Sequence, residues 1–107
     1  MATVLAVDDS PSIRQMIKVV LGPAGHTVIE AGDGAEGLAK AKSASLNLVI
    51  TDLNMPVMNG LEMIKQLRTL PACTGVPILF LSTESDEGIK QQAKAAGATG
   101  WITKPFK

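Results

Sequence analysis

The chain alternates between short, continuously apolar runs and stretches whose apolar residues recur every three or four positions. Val4-Leu-Ala-Val7 is the first apolar run. Ser10-Pro11 then offers a helix start, with serine as N-cap and proline in the first turn. Ile13, Met16, Ile17, Val20 and Leu21 fall on one face of that helix, and Gly22, Pro23 and Gly25 end it. His26 to Glu30 reads as a strand whose mixed polarity suits the edge of a sheet. Asp33-Gly34 turns into a weaker helix from Ala35 to Lys42, inside which Gly37 costs about 1 kcal/mol relative to alanine. Leu46 to Thr51 is a third strand, apolar on both faces at Leu48, Val49 and Ile50. Gly60 to Arg68 is a helix with Leu61, Ile64 and Leu67 inward. Pro77 to Leu81 is the most hydrophobic strand. An alanine-rich helix follows from Asp86 to Ala96, stopped by Gly97, and Thr99 to Thr103 is a fifth strand running directly into Lys104-Pro105.

Strand and helix repeat in turn, without two-residue hairpins, and the strands are apolar throughout. That combination predicts a parallel sheet covered on both faces. Right-handed crossovers then make it an open, doubly wound α/β sandwich. A length of 107 residues suits one domain with one core, spanning residues 1–107, and no linker, repeat or low-complexity tract interrupts it. The rhythm calls for a fifth helix where the sequence ends. A shortened piece, a disordered end and a sheet face short of its cover all fit that gap.

Composition narrows the classes. Ten Lys and Arg balance ten Asp and Glu, so there is no basic surface for general nucleic-acid binding or for an anionic membrane. No apolar run approaches the roughly 20 residues of a membrane span, and the opening M-A-T-V-L-A-V-D-D lacks the basic region of a signal peptide. Cys73, the one cysteine, makes no internal disulfide and reads as a free loop thiol in a reducing compartment. The expectation is a cytoplasmic soluble protein. The one histidine, His26, opens a strand, whereas a phosphotransfer histidine needs an exposed helical position. The five methionines read as core and turn filler, with Met58 able to face partners.

The chemistry lies where strands end. In open α/β sheets, sites form at the carboxyl ends of strands. The first strand ends in Asp8-Asp9 and the third in Asp52. If these strands are neighbours, three carboxylates share one edge. Clustered anions repel, and a cation among them relieves this. An all-oxygen carboxylate set suits Mg²⁺. The plainer reading is that these acids merely terminate strands, with Asp9 or Ser10 capping the helix. Ser82 and Lys104 close the fourth and fifth strands. A hydroxyl donor, an ammonium and a metal around one carboxylate would receive a phosphoryl group, whose transfer needs positioning and charge neutralisation above all. Asp52 is then the nucleophile, forming an acyl phosphate.

The segments V-D-D-S, T-D-L-N-M-P-V-M-N-G, F-L-S-T-E and I-T-K-P-F run in order from residue 7 to residue 106. On these the chain resembles the receiver domains of two-component response regulators, and most of all the family's single-domain chemotaxis regulators. The resemblance implies strand order 2-1-3-4-5. It implies Asp52 as the phosphorylated residue, and Mg²⁺ held by Asp9 directly, by Asp8 largely through water, by Asp52 and by the Asn54 backbone carbonyl. It further implies Ser82 as the switch hydroxyl, Lys104 as the phosphoryl contact with a cis peptide before Pro105, and Met55-Pro56 and Gly60 as the turn that exposes Asp52. The implied partners are a histidine kinase and a downstream protein at the face of the fourth helix and fifth strand. No direct nucleic-acid contact or membrane insertion is expected, and the chain would be a monomer or weak dimer, catalysing only its own phosphorylation and slow dephosphorylation.

Two departures stand out. Trp101 occupies a position where the family usually has Tyr or Phe, an aromatic that turns inward when the hydroxyl moves. The larger ring either hampers that turn or packs at the surface as a partner contact. The fourth helix buries only Ile89, Ala93 and Ala96, which fits either a lightly held switch element or an ordinary helix on a tight sheet. A phosphatase of the haloacid-dehalogenase type would want an acid where Asn54 stands. A flavodoxin-like carrier would want a hydroxyl-rich loop after the first strand, where this chain has acids. Within the receiver class, a whole regulator and a receiver piece of a larger one both fit.

Overall fold

In a computed structural model, which describes residues 2–53, 55, 57–82 and 87–103 (side chains at 72, 82 and 103 excepted), each apolar run is a strand. The strands are β1 (Thr3–Val7), β2 (Thr27–Ala31), β3 (Leu48–Thr51), β4 (Ile78–Ser82) and β5 (Gly100–Thr103). The helices are α1 (Pro11–Leu21), α2 (Gly34–Lys42), α3 (Gly60–Leu67) and α4 (Glu87–Ala96). Single 3-10 turns at Gly22–Ala24 and Pro71–Cys73 were not legible in the pattern. The strands form one parallel sheet in the order β2-β1-β3-β4-β5. The mixed polarity of β2 is that of an edge strand, as its sequence suggests. No described helix is long and apolar enough to cross a membrane.

Alternation along the strands sorts the core. Leu5, Val7, Val49, Ile78 and Phe80 point to one side, against Leu38 and Ala41 of α2, Met63, Ile64 and Leu67 of α3, and Ala93 of α4. Ala6 and Leu81 point to the other, against Ile17 of α1. In α4 only Ala93 is buried, while Ile89 and Ala96 pack partly against the core. Gly37, a weakness by propensity alone, has a packing reason. A Cβ there would lie 3.0 Å from both Met63 Sδ and Val7 Cγ2, so glycine lets α2 sit close on β1 and α3.

Three readings need correction. The apolar stripe of α1 is wider than its contact with the sheet. Ile17 is buried and Ile13 and Leu21 pack partly, but Met16 and Val20 are 42% and 57% exposed, flanking the line that touches the strands. Met16 is therefore not core filler. Cys73 is a free thiol, as expected, but not one on an open loop; the 3-10 turn after α3 folds it into the main core at 1% exposure. Leu46 and Asn47 precede β3 rather than belong to it, although Leu46 is buried. Burial pushes the Cys73 thiol up, against a smaller downward pull from Arg68. The Arg68 guanidinium donates to the carbonyls of Cys73, Val76 and Gly97, joining α3, the turn after it and the loop that follows α4.

Candidate functional site

The register puts the acids at one level. Val7 pairs with Ala31 on one side and Thr51 on the other, and Thr51 pairs with Phe80. The residues that follow, Asp8 and Asp52, therefore leave the sheet side by side at its carboxyl edge. Asp52 N–H donates to Val7 O at 2.9 Å and Asp8 N–H to Ala31 O at 3.0 Å, extending the ladder by one step. After β1 the chain crosses to α1 on one face; after β3 it crosses to α3 on the other. A crevice opens where connections diverge, and that is where open α/β sheets hold ligands.

Asp8, Asp9 and Asp52 each bring a carboxylate oxygen within 4.8 Å of the other two. Asp8 is 2% exposed, Asp52 9%, and Asp9 lies open to solvent. Octahedral Mg²⁺ spaces its oxygen ligands by about 3 to 4.2 Å, from bond lengths of 2.0–2.1 Å, so the set is chemically and spatially suited to such an ion. Local hydrogen bonds aim the carboxylates. Asp8 Oδ1 accepts from Ser10 N–H at 2.9 Å, and Asp52 Oδ1 accepts from Leu53 N–H at 2.7 Å. Ser10 also caps α1, its hydroxyl accepting from Ile13 N–H, so the positive end of the helix lies beside the acids. The capping reading and the clustering reading thus hold together.

The turn after Asp52 is built around Gly60. A Cβ there would sit 2.3 Å from Asp52 O and 2.7 Å from the Phe80 ring, so only glycine lets the chain fold back this closely. Gly60 N–H donates to Leu53 O, and Gly34 N–H to Met58 O, tying the turn to α2. Asn59 caps α3 by accepting from Glu62 N–H. Val57 stands in the same turn with φ +68° and 84% exposure. Ser82 ends β4 opposite Thr103 of β5. Asn54, Pro56, Lys104 and Pro105, which the sequence singles out, lie outside the described residues, and Ser82 is described in its backbone alone. The Trp101 ring is half-buried against Phe80, with centroids 5.1 Å apart. Phe80 also reaches the Gly60 turn, which links Trp101 through one buried ring to the backbone around Asp52.

Residues 4–107 match the family described as the response regulator receiver domain. Among solved structures, the chain is similar to the chemotaxis protein CheY4 of Vibrio cholerae, with 52% identity and a TM-score of 0.96, covering 100% of this chain and 89% of that one. It is also similar to the receiver domain of a sensor histidine kinase from Pseudomonas aeruginosa PAO1, solved with a magnesium ion coordinated in its active site cleft. That match has 25% identity and a TM-score of 0.90, covering 99% of this chain and 87% of that one. A chemotaxis protein CheY homolog of Campylobacter jejuni is 39% identical over 104 residues, 95% of this chain and 80% of that protein. Other curated relatives are far longer: the chain spans 7% of one and 13% of another.

Proposed function

The chain belongs to the response regulator receiver domains of two-component signalling, and from that premise we propose that it is a phosphorylation switch whose acceptor is Asp52. The observation that carries this reading is the meeting of Asp8, Asp9 and Asp52 at the carboxyl edge between β1 and β3. A carboxylate oxygen of Asp52 attacks the phosphorus of a phosphohistidine on a histidine kinase, or of a small phosphodonor. The bond from phosphorus to the donor's nitrogen or oxygen breaks, and that group leaves with its electron pair. Hydrolysis reverses the gain, with water attacking phosphorus and inorganic phosphate leaving Asp52 as a carboxylate. Asp9, Asp8, Asp52 and the Asn54 carbonyl would hold a Mg²⁺ ion, which when bound would neutralise charge on the phosphoryl oxygens.

The remaining roles belong to the chain itself. Leu53 N–H and the Gly60 turn hold Asp52 with its carboxylate facing the crevice. Lys104 pairs with the phosphoryl group, and the Ser82 hydroxyl donates to it. Trp101, on the far side of Phe80, reports the change at the α4/β5 face, where a downstream protein docks. The protein is a switch rather than a turnover enzyme, cytoplasmic, and a monomer or weak dimer. Similarity to chemotaxis regulators over nearly the whole chain supports a chemotaxis role. The much longer relatives favour a second reading, a receiver unit of a larger regulator. Intact mass after incubation with acetyl phosphate tests the chemistry. One phosphoryl adduct is expected, dependent on Mg²⁺ and lost in Asp52→Asn. An adduct that persists in Asp52→Asn, or none on the folded wild type, would sink the assignment.

A further inference from the structure

We propose that Arg14 is a positioning residue for the Asp8–Asp9 pair, clamping the peptide between them so that both carboxylates stay turned toward Asp52. The inference rests on the reading of this edge as a Mg²⁺ site. Arg14 lies one turn inside α1, where its N–H donates to the Ser10 carbonyl. Its side chain bends back past the start of the helix. Nη1 donates to the backbone carbonyl of Asp8, the oxygen of the peptide that joins Asp8 to Asp9.

The guanidinium is itself held. Nε donates to Glu30 Oε1 at 3.2 Å, and the other Glu30 oxygen lies 3.3 Å from Lys18 Nζ. Glu30 sits in β2, paired with Ala6 of β1, and its carbonyl accepts from Lys40 Nζ of α2. The fork of Arg14 is therefore stretched between a strand-anchored carboxylate and the Asp8 carbonyl, with its side chain only 18% exposed. Asp9 is exposed, so packing does little to hold it. The orientation of the Asp8–Asp9 peptide sets the direction in which both side chains leave the backbone, and the Ser10 N–H completes the aim of Asp8. A charge-assisted hydrogen bond on that peptide's oxygen is the kind of outer contact that keeps metal ligands aimed. A planar guanidinium meets the two partners with separate nitrogens fixed in one fork, a geometry that the single nitrogen of an ammonium lacks.

A purely structural role, stapling α1 to β2, makes a different prediction. Glu30→Gln removes the ion pairs of the staple but leaves the Arg14 to Asp8 contact available. The test is Mg²⁺ titration by calorimetry on the metal-free, unphosphorylated protein, alongside urea midpoints, for wild type, Arg14→Met, Arg14→Lys, Glu30→Gln and Asp9→Asn. Arg14→Met is expected to weaken Mg²⁺ binding by about 10- to 100-fold, Arg14→Lys by less, and Glu30→Gln to leave affinity near the wild-type value while lowering stability. Wild-type affinity in Arg14→Met, or an equal loss in Glu30→Gln, would overturn the proposal while leaving the Mg²⁺ site intact. If Arg14→Met does not fold, weaker binding in Arg14→Lys than in Glu30→Gln supports it, and the reverse order refutes it. No binding by the wild type, indistinguishable from Asp9→Asn, would remove the Mg²⁺ reading itself and the proposal with it.

Discussion

Within one turn, two residues meet unusual backbone demands in opposite ways. Gly60 has no Cβ where one would strike Asp52 O. Val57 keeps a β-branched side chain at φ +68°, where an L residue is disfavoured by about 1–2 kcal/mol. Asparagine tolerates that region better, and the Val57 side chain is 84% exposed, with little packing to lose. Val57→Asn is therefore expected to raise stability by about 1 kcal/mol, seen as a higher urea midpoint at unchanged slope. A lower midpoint would show that the valine side chain holds the turn. At this scale the acids were legible because Asp8-Asp9 and Asp52 stand where the first and third strands end. The burial of Cys73 was not, because it depends on how a 3-10 turn folds back under α3.

Between elements, the β2 edge is bound to the helices on both sides by charge. Burial works to raise the Glu30 carboxyl, but hydrogen bonds from Lys18 and Arg14 of α1 outweigh it and hold it below the usual value of 4.5. In α2, the Gly32 N–H and then Lys40 hold the Glu36 carboxyl low. A depressed folded value means that the unfolded chain takes up protons more readily. The contribution is thus present above about pH 4.5 and lost as pH falls through the lower folded values. Urea midpoints measured across that range should fall on acidification, and the fall should be shallower in the Glu30→Gln/Glu36→Gln double variant. An unchanged acid limb would mean that these partly exposed pairs contribute little. The helices themselves were legible from caps and periodicity. Which flank of the α1 stripe meets the sheet was not, since Met16 and Val20 are as apolar as Ile17.

For the molecule as a whole, Cys73 is an internal reporter of opening. Its thiol is buried, and Arg68 ties the carbonyls of Cys73, Val76 and Gly97 together across three segments. Thiol reagents should label the native protein only through global opening. Arg68→Met leaves those acceptors without the guanidinium, at about 1–3 kcal/mol for a buried unsatisfied group. Labelling should then quicken by about 10- to 100-fold under conditions where opening is in fast equilibrium. Fast labelling of the wild type in the absence of denaturant would point instead to local opening of the turn at Pro71–Cys73.

Local order in the sequence determined the alternation of strand and helix, the parallel and doubly wound class, the cap at Ser10, and the acids that end the first and third strands. These follow from periodicity and turn chemistry over a few neighbouring residues, so a one-dimensional pattern contains them. The tertiary structure decided which of those residues meet. It set β1 beside β3, so that Asp8, Asp9 and Asp52 come within 4.8 Å of one another. It carried the Arg14 side chain back to the Asp8 carbonyl, made Gly37 a close-packing residue, and left Met16 and Val20 exposed. The strand pairing and the Gly37 packing join segments far apart in the chain, the Arg14 contact reaches back six residues across the turn between β1 and α1, and the exposure of Met16 and Val20 follows from which flank of α1 meets the sheet. Strand pairing and side-chain reach fix such contacts, and no local pattern of polarity encodes them.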